Sequence, residues 1–204
     1  QNILSAYLTG SRFFELKTVQ TVDGDEMRKM VPKPCIDAKN VGYNVEWSTE
    51  LTVEKAKNEY IKASLLLQLF GIELGISDVK DFAFNMSVGY SLEGIKSKKI
   101  SDFIDDLKDA NDTPVFKECI ETIKKNLDNF KRFNADDINK LSSNISSSVT
   151  LSTMHGSKPE EIFDIASHLI VDKKLNTFIK CNPTLLGYDK VREILDLLGY
   201  NDVV

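Results

Sequence analysis

The chain has 204 residues, 42% of them hydrophobic and 28% charged, with a formal net charge of −5. That is enough for one core-bearing domain. The acidic balance argues against a general nucleic-acid or anionic-membrane surface. No apolar run approaches the roughly 20 residues of a membrane span. Gln1-Asn2-Ile3-Leu4 lacks the basic, apolar and small-residue order of a signal peptide. Cys35, Cys119 and Cys181 are isolated, which fits a reducing cytoplasm rather than a disulfide framework. With no Cys-x-x-Cys pair, no zinc or iron–sulfur site is expected in this stretch. The first residues look like a helix already under way, and Asp202-Val203-Val204 looks like a strand beginning. The expectation is a piece of a longer chain.

In chain order, Asn2 to Leu8 predicts a short helix ended by Gly10, a suitable residue just past a helix. Arg12 to Val19 predicts a strand that carries Glu15 and Lys17 within an apolar run. Two explanations weigh equally. The strand is half-exposed with alternating faces, or it is covered by helices and Lys17 points into a ligand mouth. Residues 20–44 form a long polar stretch, and loops of that length are usually functional or mobile. Asn44 lies beside the lone Trp47, a pairing that suits a ligand wall or a loop anchored on the core.

Thr52 is a predicted N-cap for a helix to about Leu74, with Ala56, Tyr60, Ile61, Ala63, Leu66, Leu67 and Phe70 facing the core. Phe82 to Val88 is the next strand, again with a polar residue inside it, Asn85. Residues 95–145 are charged and helical, with segments Ile100–Leu107, Val115–Phe130 and Asp136–Leu141. They predict an insertion packed on the outside.

The stretch from Val149 to Tyr188 reads as strand, polar loop, helix, strand, polar loop. Pro159 opens the helix, Glu160 and Glu161 complement its dipole, and Lys173 and Lys174 end it. Ile162, Phe163, Ile165, Ala166, Leu169 and Ile170 form its apolar stripe. Thr177 to Lys180 is the fourth strand, and Tyr188 to Leu198 the last helix. Strands alternating with helices indicate the α/β class with a parallel sheet. An eight-fold barrel takes about 250 residues, so residues 1–204 are expected to be a single partial (β/α) barrel domain.

Ligands of such sheets lie beyond the carboxyl ends of the strands. Three strands end in polar groups: Lys17 with Thr18, Asn85 with Ser87, and Lys180 with Asn182. Two lysines and two asparagines suit an anionic, planar, hydrogen-bonding ligand, since lysine supplies charge and asparagine both donor and acceptor. No glycine-rich nucleotide loop is present.

The segments from Gly10 to Gln20, from Phe84 to Tyr90 and from Phe178 to Thr184 resemble the strand ends of the dihydroorotate and dihydropyrimidine dehydrogenase flavin barrels. The chain is closer still to the selenate reductase subunit of that superfamily. That likeness rests on the runs ELKTVQT, KPCID, GYNVEWS, FNMSVGY, LEGIKS, SVTLSTMHG and NPTLLGY, which span almost the whole sequence.

The resemblance implies an FMN-dependent oxidoreductase in the cytoplasm, with partner FAD and iron–sulfur domains outside this chain. It implies that Lys17 approaches the reactive edge of FMN, that Thr18 adds a hydrogen bond, and that Lys180 bonds the flavin ring. Asn85 would lie between flavin and substrate, with Asn44 and Asn182 also on the substrate side. The pyrimidine enzymes carry a Cys or Ser base on a mobile loop. Here the corresponding loop offers His155 or Ser157 as the catalytic acid or base. The N-terminal strand and the later phosphate-binding strands of such barrels are missing, so tight FMN binding by this piece alone is not expected. Two other functions stay open. One is a Schiff-base enzyme using Lys17 or Lys180, and the other is a docking module that has lost its chemistry.

Overall fold

Four short segments rich in aromatic and β-branched residues form one sheet in the computed structural model, which describes residues 2–16, 51–89, 91–152, 158–180 and 186–201. They are β1 (Phe13–Glu15), β2 (Ala83–Gly89), β3 (Ser148–Ser152) and β4 (Asn176–Lys180). The order is β1-β2-β3-β4 and each neighbouring pair is parallel. All four predicted strands are therefore present and share the predicted direction. The part of the first predicted strand beyond Leu16 lies outside the described residues.

The register sorts the side chains into two faces. Phe14 is level with Phe84, Met86 with Val149, and Val88 with Leu151. All six are buried and share one core with Ile61, Leu65, Ile100, Phe103 and Ile104 from the helices. Phe14, Phe82 and Phe84 stack edge-on or tilted, with ring centroids 5.2 to 6.4 Å apart. The opposite face carries Glu15, Asn85, Ser87, Ser148, Thr150, Ser152 and Lys180, as two-residue alternation requires.

Helix α1 (Asn2–Leu8) is closed by Gly10 at φ 106°, as expected. Helix α2 (Val53–Glu73) starts at Thr52, whose hydroxyl accepts from the Lys55 N–H at 3.3 Å. Its buried set is wider than the single predicted stripe. Ser64 and Gln68 are buried, while Leu66 is exposed. The reason is packing on several sides, since α2 meets α1 and two further helices. Gln68 earns burial by accepting from the Ser142 N–H at 2.8 Å and donating to the Ser142 carbonyl at 3.2 Å.

The stretch expected as an outer insertion is helical, and part of it reaches the core. It holds α3 (Leu92–Lys96), α4 (Lys98–Lys108), α5 (Pro114–Lys125) and α6 (Ala135–Ile138). Ile100, Phe103, Ile104 and Leu107 of α4 are buried in the core shared with the strands. The Lys57 ammonium bonds Asp106 at 2.6 Å, and Lys173 bonds Asp105 at 2.7 Å, so α4 is tied to elements on both sides. It occupies the place of a crossover helix between β2 and β3. The single helix expected over Val115–Phe130 stops at Lys125, and a 3₁₀ turn at Leu127–Asn129 follows.

Helix α7 (Pro159–Ser167) widens into one π turn at His168–Asp172. Of its predicted stripe, Ile165, Ala166 and Leu169 are buried, whereas Phe163 and Ile170 are exposed. Helix α8 (Gly187–Leu197) follows β4 and has no buried residue. Among the described residues no helix is long and apolar enough to cross a membrane.

Candidate functional site

The polar face of the sheet is built in layers. Glu15, Asn85, Ser148 and Asn176 are level with one another. Ser87, Thr150 and Phe178 form the next layer, and Gly89, Ser152 and Lys180 the last one towards the carboxyl ends. Serine and threonine alternate along β3, so a short hydroxylated side chain meets each layer.

Asn85 is 1% exposed. Its Nδ2 donates to Thr150 Oγ1 at 2.7 Å, and its Oδ1 accepts from Ser148 Oγ at 2.7 Å. Both ends of the amide thus have a partner, as a buried amide requires. Lys180 is exposed at the carboxyl end of β4. Alternation puts it on the same face as Asn85, but two layers higher, or roughly 13 Å along the strand direction. The structure therefore brings these two predicted residues to one face and to different depths. Lys17, Thr18, Asn44, His155, Ser157 and Asn182 lie outside the described residues. Ser148 and Thr150 were not singled out from the sequence. Their signal was the alternation Ser148, Thr150, Ser152 within a strand, masked by the serine-rich run before it.

The amino ends of the strands carry a separate polar cluster. Arg12 Nε donates to Asp81 at 2.7 Å, the Tyr7 hydroxyl donates to the same carboxylate at 2.9 Å, and the Arg12 guanidinium lies 4.3 Å from the Tyr7 ring centroid. Burial, with the Asp81 carboxylate beside it, pushes the Tyr7 hydroxyl up to about 12. Lys80 donates to the carbonyls of Asn144 at 2.6 Å and Ile145 at 3.1 Å, and burial lowers its pKa to about 8. These contacts tie α1, the loop before β2 and the segment before β3 together at the amino ends of the strands. Among the described residues no group of three or more His, Cys, Asp or Glu side chains is placed to hold a metal ion.

The family model described as "Oxidoreductase YgfK, N-terminal TIM-barrel domain" matches residues 1–204. Two curated relatives, both named "Putative oxidoreductase YgfK", come from Escherichia coli strain K12 and Escherichia coli O157:H7. Each is 48% identical to the chain over 212 aligned positions. The match takes in 98% of this chain and 20% of each relative, so the chain spans about a fifth of their length. No solved structure matches it. The consecutive parallel strands agree with a TIM-barrel fold, and the chain belongs to the N-terminal TIM-barrel domains of the oxidoreductase YgfK family.

Proposed function

We propose that this domain is the flavin-barrel part of a larger oxidoreductase, which passes electrons through FMN to or from a small anionic or heterocyclic substrate. The observation that carries this is the polar face of the sheet. It runs upward through Asn85, Thr150 and Ser152 to the exposed cation of Lys180, on a domain whose family is one of oxidoreductases.

The described donor set suits the ring end of a flavin. Lys180 offers a positive charge at the strand ends, where a planar group with developing negative charge would gain most from it. When bound, FMN supplies the reversible uptake of two electrons. The chain's own residues bind, orient and move protons. Lys180, with Lys17 and Thr18, would hold the ring, while Asn44, Asn85 and Asn182 would line the substrate side. Ser148 and Thr150 fix which way the Asn85 amide faces, so that it need not reorganise when substrate arrives. His155 or Ser157 would exchange the proton. FAD and iron–sulfur domains would lie outside this chain; the relatives, of which it spans 20%, have length for further domains of some kind.

The test is a full-length preparation and its Lys180→Met variant. The expected result is bound flavin in the parent, about tenfold weaker FMN retention in the variant, and unchanged circular dichroism. A colourless full-length protein that rejects added FMN would refute the proposal. Borohydride-trapped carbonyl adducts at Lys180 would favour a Schiff-base enzyme instead.

A further inference from the structure

The Thr150 hydroxyl is held by its oxygen and not by its hydrogen. Oγ1 accepts from Asn85 Nδ2 at 2.7 Å, and no acceptor for its hydrogen is found among the described residues. Thr150 is only 8% exposed, and a donor so far from solvent is normally used. Its neighbours fix the sign of this leftover group. Ser148 Oγ donates to Asn85 Oδ1 at 2.7 Å, which turns the amide nitrogen, a donor only, towards Thr150. The bonds thus run one way, from Ser148 through Asn85 to Thr150, and each polarises the next. Ser148 is level with Asn85, and Thr150 stands one layer nearer the carboxyl ends of the strands. On that side the face is open. Phe178, level with Thr150, is 53% exposed, and Lys180, one layer higher, is exposed as well.

We propose that Thr150 is a ligand-binding residue, whose hydroxyl donates to an acceptor atom of the flavin ring held at Lys180. The inference rests on the flavin reading above and adds to it a contact of fixed sign. Fixing the Asn85 amide needs only the oxygen of Thr150, so that role leaves the hydrogen unexplained. An oxidised flavin ring presents acceptors at N1, O2, O4 and N5, and a donor at N3–H. With a hydrogen to give, Thr150 meets an acceptor edge of the ring rather than N3–H. Lys180 supplies charge at the strand ends, and Thr150 supplies a neutral donor below it. A neutral donor can be buried there without taking a second ion out of water. The ring is thereby told which edge to turn inward, which a mobile lysine alone does not decide.

The experiment titrates FMN into full-length protein stripped of its flavin and reads the quenching of flavin fluorescence. Thr150→Val keeps the shape and loses the hydroxyl. It is expected to bind FMN about tenfold more weakly with unchanged circular dichroism, the effect of one hydrogen bond in a buried site. Thr150→Ser restores the hydroxyl and should stay within about threefold of the parent. The sign of the contact is checked with Asn85→Asp, whose carboxylate can only accept and so takes the Thr150 hydrogen for itself. In that background Thr150→Val should change FMN affinity by less than about twofold. Parent-like binding by Thr150→Val, no rescue by Thr150→Ser, or the same tenfold loss in the Asn85→Asp background would each overturn the inference while leaving the flavin reading in place. A parent that itself rejects FMN would overturn both.

Discussion

Asn85 of β2 and Thr150 of β3 are joined side chain to side chain at 2.7 Å, and Ser148, level with Asn85 in the register, closes on the other end of the same amide. One amide therefore links two strands independently of their backbone ladder. Replacing Asn85 by Ala leaves two hydroxyls without their partner and opens a small cavity, at a cost of about 2–3 kcal/mol. Thr150→Val removes one acceptor and costs about 1–2 kcal/mol. A double-mutant cycle in denaturant should show coupling of about 1 kcal/mol or more between the two sites. Additive effects would mean that the bond does not contribute.

Gly75 ends α2 at φ 64°, a conformation that side chains disfavour, and an added Cβ would stand 1.7 Å from Arg132 Nη1. The arginine tip can move, but the backbone cannot, so Gly75→Ala is expected to cost about 1–2 kcal/mol. Adding Arg132→Ala to that variant should recover only the part due to the clash. Full recovery in thermal unfolding would show that the backbone conformation carries no strain.

The Glu73 carboxylate accepts from the N–H groups of Lys131 and Arg132 at 2.9 Å and of Phe133 at 3.0 Å. These bonds hold its pKa below the ordinary 4.5. A depressed carboxyl pKa contributes stability that is complete above the unfolded value and is lost as the pH falls through the folded one. The Glu73→Gln variant should therefore show a shallower loss of stability below pH 4.5 than the parent. Identical acid limbs in the two proteins would rule out the contribution.

Lys80 titrates in the opposite sense to a paired lysine. Its pKa falls from 10.5 to about 8 on folding, because burial outweighs the help of its two carbonyl acceptors. Between those values the unfolded chain holds more protons, so stability rises with pH across the window. Against Lys80→Met, the parent should gain on the order of 1–2 kcal/mol from pH 8 to 10.5, allowing for solvent around the side chain. A parallel pair of stability profiles would contradict this.

The strands were legible in the sequence because their residue types are those that fit a pleated, half-covered surface. So was their direction, because helices separate them. The polar residue inside β2 could also be seen, but not its use, since its partners lie 63 and 65 residues away. The same limit hid Gln68, which a single helical stripe places at the surface and which Ser142 draws inward across 74 positions. In α7, Phe163 belongs to the apolar pattern and yet is exposed, because the pattern records what a helix will bury and not what is present to bury it. The charge of residues 95–145 suggested a surface insertion. The four apolar residues of α4 were fewer than its charges, yet they decide where it packs.

Arg12, Tyr7 and Asp81 have a bearing on how the chain tolerates change. The Arg12–Asp81 bond joins positions 69 apart in sequence and pins the starts of β1 and β2 together. The stretch between is thereby a closed loop whose ends are fixed from outside it. Loop closure depends on the logarithm of length, so even doubling such a stretch costs only about 0.6 kcal/mol. Asp81→Asn removes a tie at the strand starts and should lower the unfolding midpoint, whereas the length dependence of closing the stretch, which the paired strands also set, should stay as it was.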